Sequence, residues 1–133
     1  MADARPTTAP PARRAHPVHS ALVGLTSLGV LLQGLWAGLF MNREGDYGTW
    51  VEVHQHGGEA TVTLAFLAAV AALVWLRSRV AVLAGTVLLF VLLLVELLLG
   101  LAIDDSPSSV VIHVPLALLM MGLAVWLPMN ARR

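Results

Sequence analysis

The sequence predicts an all-α fold: an up-down four-helix bundle embedded in a membrane. Three observations predict it. Of the 133 residues, 58% are hydrophobic, against about 45–50% in a typical soluble domain. The excess is gathered into four apolar stretches, at 21–40, 60–76, 80–103 and 110–127, each near the ~20 residues that cross a hydrocarbon core. The connections are short, which makes consecutive spans antiparallel neighbours. The expected organisation is a tail at 1–17 and one bundle at 18–130, with spans at about 20–41, 50–76, 79–103 and 107–128 and no room for a separate soluble domain.

Residues 1–17 are rich in Ala, Pro, Thr and Arg, the composition of a disordered tail. The first span is too long for a signal-peptide core and no cleavage site follows it, so it is expected to be retained. The loop at 42–49 contains Gly45 and Gly48. Thr49-Trp50-Val51-Glu52 then fits a capping box and predicts that the second helix starts near Trp50. A tight turn at Arg77, Ser78 and Arg79 separates spans two and three. Asp104-Asp105-Ser106-Pro107-Ser108 reads as a loop, with Ser106 as cap and Pro107 in the first turn of span four.

All eight basic residues are Arg, a usage that fits a GC-rich bacterial coding sequence and hence a bacterial inner (plasma) membrane. Arg5, Arg13 and Arg14 precede span one, Arg77 and Arg79 lie between spans two and three, and Arg132 and Arg133 end the sequence. Only Arg43 falls on the other side, so the positive-inside rule predicts that both termini are cytoplasmic. The outer loops carry Glu44, Asp46, Glu52, Asp104 and Asp105. Trp36 and Trp50 mark one interface and Trp75 and Trp126 the other. With no Cys, disulfides, iron–sulfur ligation and thiol catalysis are excluded. No phosphate-binding loop, nucleophile triad or nucleic-acid patch is present; the partner that the composition implies is the lipid bilayer.

His54 and His113 carry the sharpest functional signal. They lie early in spans two and four, which enter the membrane from the same side. Two opposed imidazoles in an apolar four-helix bundle are what an axially ligated heme requires. Histidine inside a span is costly without a partner; the plainer explanation is a helix-packing hydrogen bond. His54 is followed on one face by Gly58, Thr61, Ala65, Ala68 and Ala72, and His113 by Ala117, Met120 and Ala124. Such small-residue faces leave space for a flat macrocycle, or else permit close helix approach.

His56 stands roughly 200° around the helix from His54, so it is a substitute ligand rather than an additional one, and it can pair with Glu59 one turn on. His54, His56 and Glu59 do not converge from one helix, which speaks against zinc. If Trp75 and Trp126 are level, His54 sits about 12 Å higher than His113. Gln33 and Glu96 are the buried polar groups of spans one and three. Glu96 is expected to orient a histidine's free nitrogen, to hydrogen-bond Gln33, or to carry protons. A weak repeat, Gln33 then His54 and Glu96 then His113, suggests two similar hairpins. Arg43 is a candidate for a heme propionate or a lipid headgroup. His16 and His19 are expected to be solvated at the inner interface.

Taken together, Gln33-Gly34 with Gly38, Trp50-Val51-Glu52-Val53-His54 with Gly58, Glu96 with Gly100, and Ile112-His113-Val114-Pro115-Leu116 resemble one half-bundle of heme A synthase, and small four-helix membrane proteins of the same histidine pattern. The resemblance implies that His54 and His113 are axial heme ligands. Glu52 lies two residues before His54 where that family has its acidic residue three before, so no catalytic role is transferred. A single half lacks the second heme site, which makes heme A synthesis itself an unlikely activity. The expected function is membrane b-type heme binding, serving one-electron transfer with a quinone or a redox partner membrane protein, or heme handling, near the outer leaflet. The alternatives are a non-catalytic structural or accessory subunit, whose buried polar residues only fix helix packing, and proton conduction through Gln33 and Glu96.

Overall fold

The computed structural model describes residues 16–42, 45–103 and 105–131; Arg43 lies outside them. Four helices account for nearly all of these: α1 Pro17–Met41, α2 Tyr47–Trp75, α3 Val80–Leu101 and α4 Val110–Ala131, the last entered through a 3-10 turn at Pro107–Ser109. There are no strands among the described residues. The four helices are long and apolar enough to cross a membrane, the architecture of a multi-pass membrane protein. We call the end with the α2–α3 turn the turn end, and the opposite end the loop end.

Helix starts follow local chemistry. Pro17 opens α1, where its missing N–H costs nothing. α2 begins at Tyr47 because Asp46 caps it: one carboxylate oxygen accepts from the Thr49 amide at 3.3 Å and the other from the Thr49 hydroxyl at 2.7 Å. Thr49 is therefore inside the helix and not its cap, and α2 starts three residues before Trp50. Ser106 precedes the 3-10 turn without capping it; its hydroxyl meets that of Ser108 at 3.3 Å instead.

Each helix packs chiefly on two neighbours, α1 and α3 each on α2 and α4, so α1/α3 and α2/α4 are the diagonals. Buried residues recur at alternating steps of three and four. They are His19, Val23, Thr26 and Val30 on α1, Thr61, Ala65, Ala68 and Ala72 on α2, Val82, Thr86, Leu89, Leu93 and Glu96 on α3, and Met120, Ala124 and Leu127 on α4. This is the heptad seam of a left-handed bundle. The small stripe on α2 lets α1 approach closely: a Cβ on Gly29 would collide with the Thr61 side chain. The outward faces are mostly Leu and Val, as a surface against lipid tails must be.

Cross-helix contacts fix the relative heights. His16 stacks on Trp75 with ring centroids 4.0 Å apart, so Trp75 is level with the start of α1. The Ser27 hydroxyl donates to the Ala124 carbonyl at 2.7 Å, which puts Trp126 level with about residue 25 of α1. The two tryptophans therefore differ in height by about nine residues, or ~13 Å at 1.5 Å per residue. They are not one belt, and the expected height mismatch between His54 and His113 disappears with that assumption.

Candidate heme site

His54 rests on α1. Its Nδ1 lies 3.2 Å from the Gln33 carbonyl oxygen, and its ring stands edge-on to Phe40 at 5.3 Å. A carbonyl only accepts, so Nδ1 carries the proton and Nε2 keeps its lone pair. Measured from Ala124, His113 lies eleven residues toward the loop end, beside about residue 38 of α1. His54 sits between Gln33 and Phe40 of the same helix, so the two histidines share a level on diagonal helices.

His113 repeats the arrangement on the other hairpin. Its Nδ1 is 3.3 Å from a Glu96 carboxyl oxygen, and both side chains are mostly buried. The contact is close but off-axis, so His113 Nδ1 and both Glu96 oxygens still lack a hydrogen bond. The ring packs against Gly100, where a Cβ would stand 3.4 Å from its Cε1. Gly100 is the residue of this layer whose role is visible only in the packing. In each hairpin Nδ1 thus turns to an oxygen on the preceding helix, and neither Nε2 meets a hydrogen-bond partner among the described residues.

Around the pair, Gln33 plays two parts. Its carbonyl holds His54, while its side-chain nitrogen is buried without a partner. Gly58, one turn below His54, faces that amide and Leu97: a Cβ there would lie 3.9 Å from the amide and 3.6 Å from Leu97. Ala117 is half-buried one turn from His113. The direct Gln33–Glu96 hydrogen bond, one expectation from sequence, does not form. No family model, curated protein or solved structure matches the chain. The site therefore stands on its own geometry.

His56 points elsewhere. Its side chain is 74% exposed, and its Nδ1 meets Glu59 at 3.2 Å on the outer surface of α2. No group of three or more His, Cys, Asp or Glu converges among the described residues; a pair of axial imidazoles needs only two. At the turn end, the expectation of a solvated His19 is overturned, while His16 is half-buried against Trp75. His19 is fully buried, and its Nε2 lies 3.1 Å from the Thr86 hydroxyl across the α1/α3 diagonal. Because α1 begins at Pro17, His19 is already in the heptad seam, four residues before Val23.

Proposed function

We propose that this chain binds one b-type heme at its loop end, which Nε2 of His54 and Nε2 of His113 would hold. The observation that carries this is the paired use of Nδ1. Ligating histidines turn their other ring nitrogen to a carbonyl or carboxylate, which sets the tautomer, aims the ring and raises the basicity of the ligand. Here the Gln33 carbonyl and the Glu96 carboxyl stand in those places, on two diagonal helices and at one level. Bound there, the heme would supply a reversible one-electron couple.

The chain's own residues do the rest. Gln33 and Glu96 orient the two rings. Gly58 and Gly100 make the room that the Gln33 amide and the His113 ring occupy. The Leu-rich surroundings exclude water. The buried Gln33 amide nitrogen has a hydrogen bond yet to donate, suited to a carboxylate at a macrocycle's edge, while the Glu96 carboxyl stands beside His113. The distribution of Arg residues favours a site near the outer leaflet, where a quinol or a membrane-embedded redox protein would be the electron partner. The resemblance to one half of heme A synthase points the same way; with a single site, electron transfer or heme handling is the better reading than heme A synthesis.

The test is a set of three variants expressed in membranes with heme supplied. His54→Ala and His113→Ala should each abolish a low-spin heme spectrum, while His56→Ala should leave it unchanged. Loss in His56→Ala with retention in His54→Ala would reverse the ligand assignment. Retention in all three would leave the histidines with a packing role only, as in an accessory subunit.

A further inference from the structure

The lipid side of α2 differs from that of the other helices. Glu52, Gln55, His56, Glu59 and Thr63 are all exposed and lie on one face of α2, at steps of three and four that keep them in register along a helix. Gly58 packs on Leu97 and Gln33, and Gly29 meets Thr61, so Glu59 is level with the middle of the Gln33–Glu96 layer. It lies about nine residues below the end of α1, ~13 Å along the helix axis. At that level the other helices show Leu31 and Leu35, Val95 and Leu98, or Leu118 and Leu119, all exposed. Three helices present hydrocarbon there and α2 presents an imidazole, a carboxyl and a hydroxyl.

Ionisable side chains within a span face a bundle interior, a wet cavity or a partner, because lipid tails leave them unsolvated. His56 and Glu59 meet each other through Nδ1 and one oxygen at 3.2 Å, with side chains 74% and 49% exposed. His56 Nε2 and the second Glu59 oxygen have no partner among the described residues. With Nδ1 donating to Glu59, the free His56 Nε2 and the free Glu59 oxygen are both acceptors, and the exposed Gln55 amide, one turn before Glu59, supplies the donor. Such a surface is its own complement. Two copies of one membrane protein insert with the same orientation, so their α2 helices run parallel, and a two-fold axis sets the same residues opposite each other. Ala60 between His56 and Thr63 is small enough for close helix approach.

We propose that this face of α2 is a self-association surface, on which a second copy of the chain packs its own α2 so that the Gln55 amide of one copy donates to Glu59 and His56 of the other. The proposal is independent of heme binding. The chain has no Cys, so single cysteines report contacts without any background substitution. Gln55→Cys and Thr63→Cys, oxidised in native membranes, should cross-link to a disulfide dimer several-fold more than Leu31→Cys and Leu118→Cys, which lie on the lipid faces of α1 and α4. The wild type in nanodiscs should photobleach in two steps, and His56→Leu/Glu59→Leu in one. Cross-linking at Thr63 no greater than at Leu118, or single-step bleaching of the wild type, would overturn the proposal. So would an adduct at Thr63 formed only with a different membrane protein.

Discussion

The hydrogen bond from His19 to Thr86 lends itself to a quantitative test. Thr86 Oγ1 donates its one proton to the Val82 carbonyl at 2.7 Å, so toward His19 it can only accept. His19 Nε2–H is then the donor across the bundle, at 3.1 Å, from a ring with no exposed surface. Thr86→Val keeps the shape and strands that donor. A buried donor left without its acceptor costs about 1–3 kcal/mol, and interhelical bonds in membranes are worth about 0.6–1.7 kcal/mol. The stranded donor is dry here, so a loss of about 1–2 kcal/mol is expected. Thr86→Ser should recover most of it. The double variant His19→Leu/Thr86→Val removes both partners and should cost about 1 kcal/mol less than the sum of the single losses. Steric trapping or reversible unfolding in mixed micelles measures all four proteins. Strict additivity would refute the bond as a buried cross-bundle contact.

Three further outcomes are expected. Gly29→Ala drives a methyl into the Thr61 side chain and should destabilise the α1–α2 contact by about 1–3 kcal/mol; adding Thr61→Ala should restore most of it, measured in the same unfolding assay. The Asp46 carboxyl is held below its ordinary value of 3.8 by hydrogen bonds from the Thr49 hydroxyl and amide. A depressed folded-state value means that the cap stabilises α2 at neutral pH and is lost as pH falls below the ordinary carboxyl range toward the folded value. Asp46→Ala should therefore speed amide exchange at Thr49 and Trp50 at neutral pH, and match the wild type in strong acid. Finally, if His113 holds a heme as proposed, Glu96→Gln should preserve the bundle yet shift that heme's midpoint potential, because the group beside His113 loses its carboxyl; an unchanged potential would show that Glu96 does not act on His113.

Much of this arrangement is legible in the sequence, and the exceptions have physical causes. Apolar length sets the four helices, and the stripes at Gly58, Thr61, Ala65, Ala68 and Ala72 and at Ala117, Met120 and Ala124 follow from period alone. The repeat of Gln33 then His54 and Glu96 then His113 shows two similar hairpins, but not that Nδ1 of His54 turns to the Gln33 backbone carbonyl and Nδ1 of His113 to the Glu96 carboxyl. Hydropathy leaves His19 outside the first span because it starts a span at the first apolar run, whereas Pro17 starts the helix. The signal that finds it is the spacing His19, Val23, Thr26, Val30 and Gln33. Trp75 and Trp126 misled because side-chain type marks an interface without giving its height; only stacking on His16 and the bond from Ser27 supply that. The Thr49–Glu52 capping box does not form because Asp46 caps α2 three residues earlier and takes the Thr49 amide and hydroxyl, which leaves Thr49 inside the helix.

The most direct test is the absorption spectrum of the purified wild-type protein, oxidised and then reduced. A coloured protein is expected, with a Soret band that shifts and sharp low-spin bands that appear on reduction, at one heme per chain. A colourless protein that takes up no added hemin would contradict the assignment of His54 and His113 as heme ligands.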